Sequence, residues 1–144
     1  MKNSYRFLSI AALNVMLASN VVYAHNSPSM ITGEAKLKAG KHKEAIASFT
    51  KAIESTPKLG SDDLANAYYH RGVAELAIGA TEAAKADFRK SIDADPTPVD
   101  AEGYKNRGLA KKVLGDTQGA EADLKMAGAF GNASAQEEIN PNKG

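Results

Sequence analysis

The chain has 144 residues, 24% charged and 43% hydrophobic, with no Cys, no Trp and three His. That length suits one domain of ordinary size, and the absence of Cys excludes disulfides, thiol nucleophiles, thiolate metal sites and lipid attachment through Cys. A formal net charge of +1 gives no electrostatic footprint for nucleic acid.

Residues 1–24 read as a secretory signal peptide. Lys2 and Arg6 precede a mostly apolar run from Phe7 to Val22, and Val22-Tyr23-Ala24 has the form of a cleavage site. The rival is an uncleaved membrane anchor, but Ser9, Asn14, Ser19 and Asn20 interrupt the run, which falls short of the roughly 20 apolar residues that a span needs. Cleavage after Ala24 leaves 120 residues with 16 basic and 17 acidic side chains, a net charge of −1 and no stable membrane span. Export without Cys fits a bacterial periplasm, with outright secretion as the alternative.

The remainder is Ala-rich and helical in period, without an alternating strand pattern. Gly33, Gly72 and Gly108 serve as the origins of three copies. Two residues on stand Ala35, Ala74 and Ala110, and seven on stand Gly40, Gly79 and Gly115. Twelve on stand Ala45, Ala84 and Ala120, sixteen on stand Phe49, Phe88 and Leu124, and nineteen on stand Ala52, Ser91 and Ala127. Pro57, Pro96 and Asn132 close the copies, while Ser29, Tyr68 and Tyr104 lie four residues ahead of each origin.

This register predicts an αα-hairpin per copy. The second Gly ends one helix in a sharp turn, the first Gly and the later Ala let two antiparallel helices approach closely, and Phe or Leu fills the seam against the next copy. A hairpin of this kind cannot bury its apolar face alone, so the copies stack.

The pattern resembles the tetratricopeptide repeat over about residues 26–132. The resemblance implies an all-α, right-handed solenoid of three hairpins, with 25–139 as the repeat domain. The copy spacings of 39 and 36 exceed the family's period of about 34, which implies longer turns at Leu59–Asp63 and Thr97–Pro98. The third copy departs at Leu124 and Asn132, and the first has Ser29 in place of an aromatic because no earlier repeat packs there.

Local chemistry sets the boundaries. Ser27-Pro28 and Thr97-Pro98 each supply a cap and a first-turn Pro, and Ser61-Asp62-Asp63 places a hydroxyl cap and two carboxylates at a helix start. Ala133 to Ile139 forms a short seventh helix covering the end of the stack, and residues 140–144 are a flexible tail.

Chemical sites are sparse. His25, His42 and His70 show no metal-ligand spacing. Adjacent acids such as Asp62-Asp63 and Glu137-Glu138 point about 100° apart on a helix and share no site. No enzyme activity, metal or cofactor is expected. In the second copy, Tyr68, Gly72, Glu75 and Gly79 form the packed row, and Asn66, Tyr69, Val73 and Leu76 form the stripe beside it.

In the family, this stripe lines a concave groove. The resemblance therefore assigns Met30, Glu34 and Lys38, then Asn66, Tyr69, His70 and Val73, then Lys105, Asn106 and Lys112 as peptide-contacting residues. Tyr69 leads that set, whereas Leu37, Leu76 and Leu109 read as packing. Some family members grip the terminal carboxylate of chaperones with Lys, Asn and Arg at five groove positions. Met30, Glu34, His70, Glu102 and Asn106 stand there in this chain, so the clamp is absent. The expected function is a non-catalytic exported scaffold that binds a protein or peptide segment. The alternatives are self-assembly through the groove or the end faces, and a metal- or His-dependent activity at His25 or His70.

Overall fold

The computed structural model describes residues 27–55 and 58–139. The signal segment, His25, Pro57 and the tail at 140–144 lie outside the described residues. Seven helices follow in order among them: α1 (Pro28–Lys38), α2 (His42–Ile53), α3 (Ser61–Ala77), α4 (Thr81–Ala94), α5 (Ala101–Leu114), α6 (Thr117–Ala129) and α7 (Ala133–Ile139). None of them is long and apolar enough to cross a membrane.

Helices pair as α1–α2, α3–α4 and α5–α6. The turn glycines Gly40, Gly79 and Gly115 take φ of 70°, 80° and 90°, a left-handed conformation that costs a residue without Cβ little. At Gly79 its N–H donates to the Leu76 carbonyl at 3.0 Å and the Ala80 N–H to the Glu75 carbonyl at 2.9 Å. These two bonds satisfy carbonyls that the helix end would leave open.

Within each hairpin the first Gly faces the aromatic or Leu sixteen residues on. A Cβ at Gly33 would stand 2.7 Å from Phe49 Cε1, one at Gly72 3.0 Å from Phe88 Cε1, and one at Gly108 3.0 Å from Leu124 Cγ. The large side chains then reach the next unit. One apolar cluster joins Met30, Phe49 and Ala52 to Ala67 and Ala74 of α3. A second joins Tyr69 and Phe88 to Ala110 of α5, and a third joins Leu124 and Ala127 to Ala135 of α7. Stacking thus supplies the core, as the register predicts.

A second repeated device accompanies it. Arg71 grips Asp87 through two bonds of 2.6 and 2.9 Å, and Arg107 grips Asp123 through two of 2.8 and 2.6 Å. Each Arg immediately precedes its Gly and each Asp immediately precedes its Phe or Leu. The third guanidinium nitrogen reaches the preceding repeat: Arg71 Nη1 donates to Thr50 Oγ1 at 2.9 Å, and Arg107 Nη1 donates to the Pro96 carbonyl. The forked guanidinium therefore pins both a hairpin and its junction with the hairpin before it. The first copy has Thr32 and Ser48 at these positions. Lys111 also donates to Asp123 at 2.8 Å. Burial pushes the Asp123 carboxyl up, but hydrogen bonds from Arg107 and Lys111 outweigh it and hold the group below its usual range.

Several boundaries differ from expectation. Thr97-Pro98 does not open α5; the helix starts at Ala101, where Asp100 Oδ1 accepts the Gly103 N–H at 2.7 Å. A carboxylate three residues before the Gly103 amide satisfies it better than the more distant Thr97. Ser61 is the first residue of α3 rather than its cap, which is Gly60, while Asp62 and Asp63 lie in the first turn as expected. Pro28 occupies the first turn of α1, but the Ser27 side chain makes no capping bond. Asn132, which stands where the repeat pattern has Pro, accepts the Ala135 N–H at 3.2 Å and so caps α7. The family-like Pro would remove this cap.

Candidate functional site

The inner faces of α3 and α5 and one face of α7 enclose a groove of about 230 Å³. It is lined by Tyr69, His70 and Val73 of α3, by Lys105, Asn106 and Leu109 of α5, and by Ser134 and Glu138 of α7. Five of the ten residues singled out in sequence meet there. Lys112 joins the rim through an ion pair with Glu138 at 2.8 Å, and Asn66 stands behind it, accepting from Asn106 Nδ2 at 3.0 Å.

The remaining assignments fall elsewhere. Met30 is 7% exposed and belongs to the first core cluster, because its place on α1 faces Phe49 and the start of the next hairpin rather than the groove. Glu34 is half-buried and Lys38 exposed on α1; neither lines the cavity.

Tyr69 lines the groove but is only 9% exposed. Its ring lies 5.8 Å from Phe88 and 5.2 Å from His70, so it is a wall that also belongs to the core. Tyr68, expected in the packed row, is instead half-buried with Arg71 and Lys90 each about 5.5 Å or less from its ring centre. The correction is one step around the helix: α3 turns the Tyr69 side toward Phe88. Tyr68 lies under Lys90 of α4, and Tyr104 stacks on Phe130 at the end of α6, so each meets the second half of its own hairpin.

Ser134 and Glu138 are absent from the sequence-based set, in which α7 serves only as a cover. Their spacing of four places them on one helical face, and that spacing is the signal that could have found them.

Two opposed fields meet in the groove. Burial, reinforced by Lys105 and Lys38, lowers the His70 pKa to about 4. Burial, reinforced by Glu138 and Glu102, raises that of Tyr69 to about 12. Both rings are therefore neutral across the physiological range. Asn106 is 3% exposed, and its Oδ1 has no hydrogen-bond partner among the described residues.

A smaller cavity of about 60 Å³ adjoins the groove behind Asn106, with Asp62, Asp95 and Asp100 on its walls. Asp100 caps α5, and Asp95 Oδ1 accepts the Thr97 N–H at 3.3 Å. Among the described residues no group of three or more His, Asp or Glu side chains could hold a metal ion.

The depressed His70 pKa carries a pH dependence. An unfolded His protonates near 6.5, whereas folded His70 does so at about 4. Below pH 6.5 the unfolded state thus binds the extra proton, and stability falls as pH drops through that window. The loss reaches about 3 kcal/mol at its lower end, since each tenfold difference in proton affinity between the two states is worth about 1.36 kcal/mol. Urea titrations at pH 7 and pH 4.5, with His70→Gln beside the wild type, isolate this contribution. An equal pH slope in both proteins would show that His70 is not the cause.

Comparisons with known proteins agree with this architecture. The family model described as "Tetratricopeptide repeat" matches residues 33–59 and 65–98, the first two copies. No curated protein matches the chain. Among solved structures, the first tetratricopeptide domain of Spaghetti (RPAP3), bound to the HSP90 peptide SRMEEVD, is 21% identical with a TM-score of 0.58, covering 78% of this chain and 88% of that one. The Arabidopsis OM64 tetratricopeptide domain is 23% identical with a TM-score of 0.52, over 78% and 92% of the two chains. The second such domain of human RPAP3, in complex with the HSP70 peptide SGPTIEEVD, is 26% identical with a TM-score of 0.53, over 81% and 96%. The first two hairpins, matched by the family's own pattern at residues 33–59 and 65–98, are thus tetratricopeptide repeats, and the third continues their register and fold.

Proposed function

We propose that the protein is a non-catalytic scaffold, exported to the periplasm, whose groove holds an extended segment of a partner protein. The carrying observation is the groove itself: an apolar floor of Val73 and Leu109, neutral His70 and Tyr69, a buried Asn106 with a spare acceptor, and Lys105 at the edge. An extended backbone brings N–H donors and an apolar side chain to the same few ångströms, which such a lining can accept.

Two of the similar structures hold chaperone peptides ending in EEVD. Four of the five positions that would grip a terminal carboxylate argue for a different ligand here. Met30 is in the core, His70 is neutral, and Glu34 and Glu102 carry the wrong sign. An internal segment of mixed character fits better than a chain end.

Photocrosslinking in cells tests this reading. A photoreactive side chain at Lys105 or Ser134 is expected to capture one partner, and the same group at the exposed Lys90 is not. Mass spectrometry of the recovered protein reads its first residue, expected to be His25. Equal capture at all three positions would overturn the groove, and an intact residue 1 would overturn export.

A further inference from the structure

The three copies share an outer seam whose occupants differ. In the second copy the seam holds Tyr68, with Lys90 5.4 Å from its ring centre. In the third it holds Tyr104, on which Phe130 stacks at 5.7 Å and 14°, with Met126 at the register position of Lys90. In the first copy Ser29 stands at that place, and no ring among the described residues fills it. An open depression of about 500 Å³ remains, walled by Ser29, Ala47, Thr50, Lys51, Glu54 and Ser55.

These walls are in register with the walls around the two tyrosines, and Lys51 stands where Lys90 caps Tyr68. Thr50 is held from behind by Arg71, so the socket is braced by the second repeat. Twice, then, the chain itself shows what this shape receives: an aromatic ring.

The other end of the stack offers such a ring. Phe130 is 54% exposed and its neighbour Met126 42% exposed, although both are large apolar side chains. Phe130 has no aromatic counterpart, since Ser55 and Ala94 occupy its position in the other copies. Stacking on Tyr104 holds the ring in place before any partner arrives. Lys51 and Glu54 at the socket rim have no ion pair among the described residues. Glu121 and Lys125 of α6 pair with each other at 2.6 Å, so the knob meets the rim through its apolar surface.

We infer that the open socket of the first repeat receives the Phe130–Met126 patch of a second copy, so that the protein associates head to tail. Socket and knob lie on different surfaces at opposite ends of the stack. The contact is therefore heterologous, and each copy added leaves one socket and one knob free. A patch this small gives weak association, in the range of about 0.1–1 mM. The inference is independent of the inner groove and of what the groove binds.

Sedimentation equilibrium of the purified chain tests it with two variants. Ser29→Tyr fills the socket with the chain's own ring, and Phe130→Ser removes the knob. The wild type is expected to gain mass steadily with concentration, and each variant alone to stay monomeric. An equimolar mixture of the two should form a heterodimer and stop there, because the only free socket and the only free knob lie on different molecules. Phe130→Lys serves as a second knob variant, and circular dichroism confirms helix content in each. A wild type that is monomeric up to about 1 mM, a variant that associates like the wild type, or a mixture that stays monomeric would each overturn the inference.

Discussion

Asp87→Ala is expected to destabilise the stack by about 3–5 kcal/mol, nearer the lower figure, and Asp123→Ala to cost more. The Asp87 side chain is 4% exposed and that of Arg71 15%, so the deletion strands a cation whose remaining contacts include the Thr50 hydroxyl and the Tyr68 ring. Glu75 moderates this. Its carboxyl is pushed up by burial and by Asp87 and drawn back by Arg71 and Lys90, so removing Asp87 relieves it and leaves a second carboxylate near Arg71. The third copy has Lys111 at the register position of Glu75. Asp123→Ala would leave two cations, Arg107 and Lys111, facing one another. Replacing both partners by apolar side chains, as in Arg71→Met with Asp87→Leu, should fall within about 1 kcal/mol of the wild type, because the desolvation cost of the pair disappears with the pair. Urea unfolding of the single and double variants measures these differences. Costs under about 1 kcal/mol in both single variants would mean that the pairs behave as solvated surface bridges.

The hairpin register is legible in the sequence because its determinants are local and categorical. A residue with no Cβ at a turn, or beneath a ring, has few substitutes, so Gly33, Gly40, Phe49 and their counterparts recur visibly. The Arg–Asp pairs recur in the same register, yet charged residues on a helix more often face water. Nothing in the sequence alone distinguishes a buried fork from a surface pair; the structure decides it through the 3–4% exposure of Asp87 and Asp123.

The groove is legible only in part, for a geometric reason. Neighbouring stripes on a helix differ by about 100° per residue, and a slight change in how hairpins stack moves a residue from rim to core. Met30 and Tyr69 lie further inward for this reason, while His70, Lys105 and Asn106 meet where the stripe predicts. The contribution of α7 depends on a tertiary fact, the angle at which Asn132 launches the helix, which no periodicity encodes.

Phe49→Ala is expected to cost about 3–5 kcal/mol, and its coupling to Gly33 separates close packing from simple burial. Phe49 is 0% exposed, and three of its ring atoms lie 2.7–2.9 Å from where a Cβ on Gly33 would stand. Gly33→Ala gains about 1 kcal/mol in helix propensity but drives a methyl group into a ring with no space to retreat. The net effect should be a loss of about 1–2 kcal/mol, within the range for overpacked cores. Gly72→Ala meets Phe88 at 3.0–3.2 Å and should cost less. Combined with Phe49→Ala, the Gly33→Ala methyl enters the cavity left by the ring and only its gain in helix propensity remains, so the double variant should be more stable than the sum of the single costs by about 2–3 kcal/mol. The same ring stacks on His70 at 5.8 Å. Its removal opens the imidazole to water and should move the His70 pKa from about 4 back toward 6.5, readable by NMR titration. Additive costs with an unchanged His70 titration would show that the first two repeats repack around the missing ring. In that event the glycine is needed for the backbone and not for the contact.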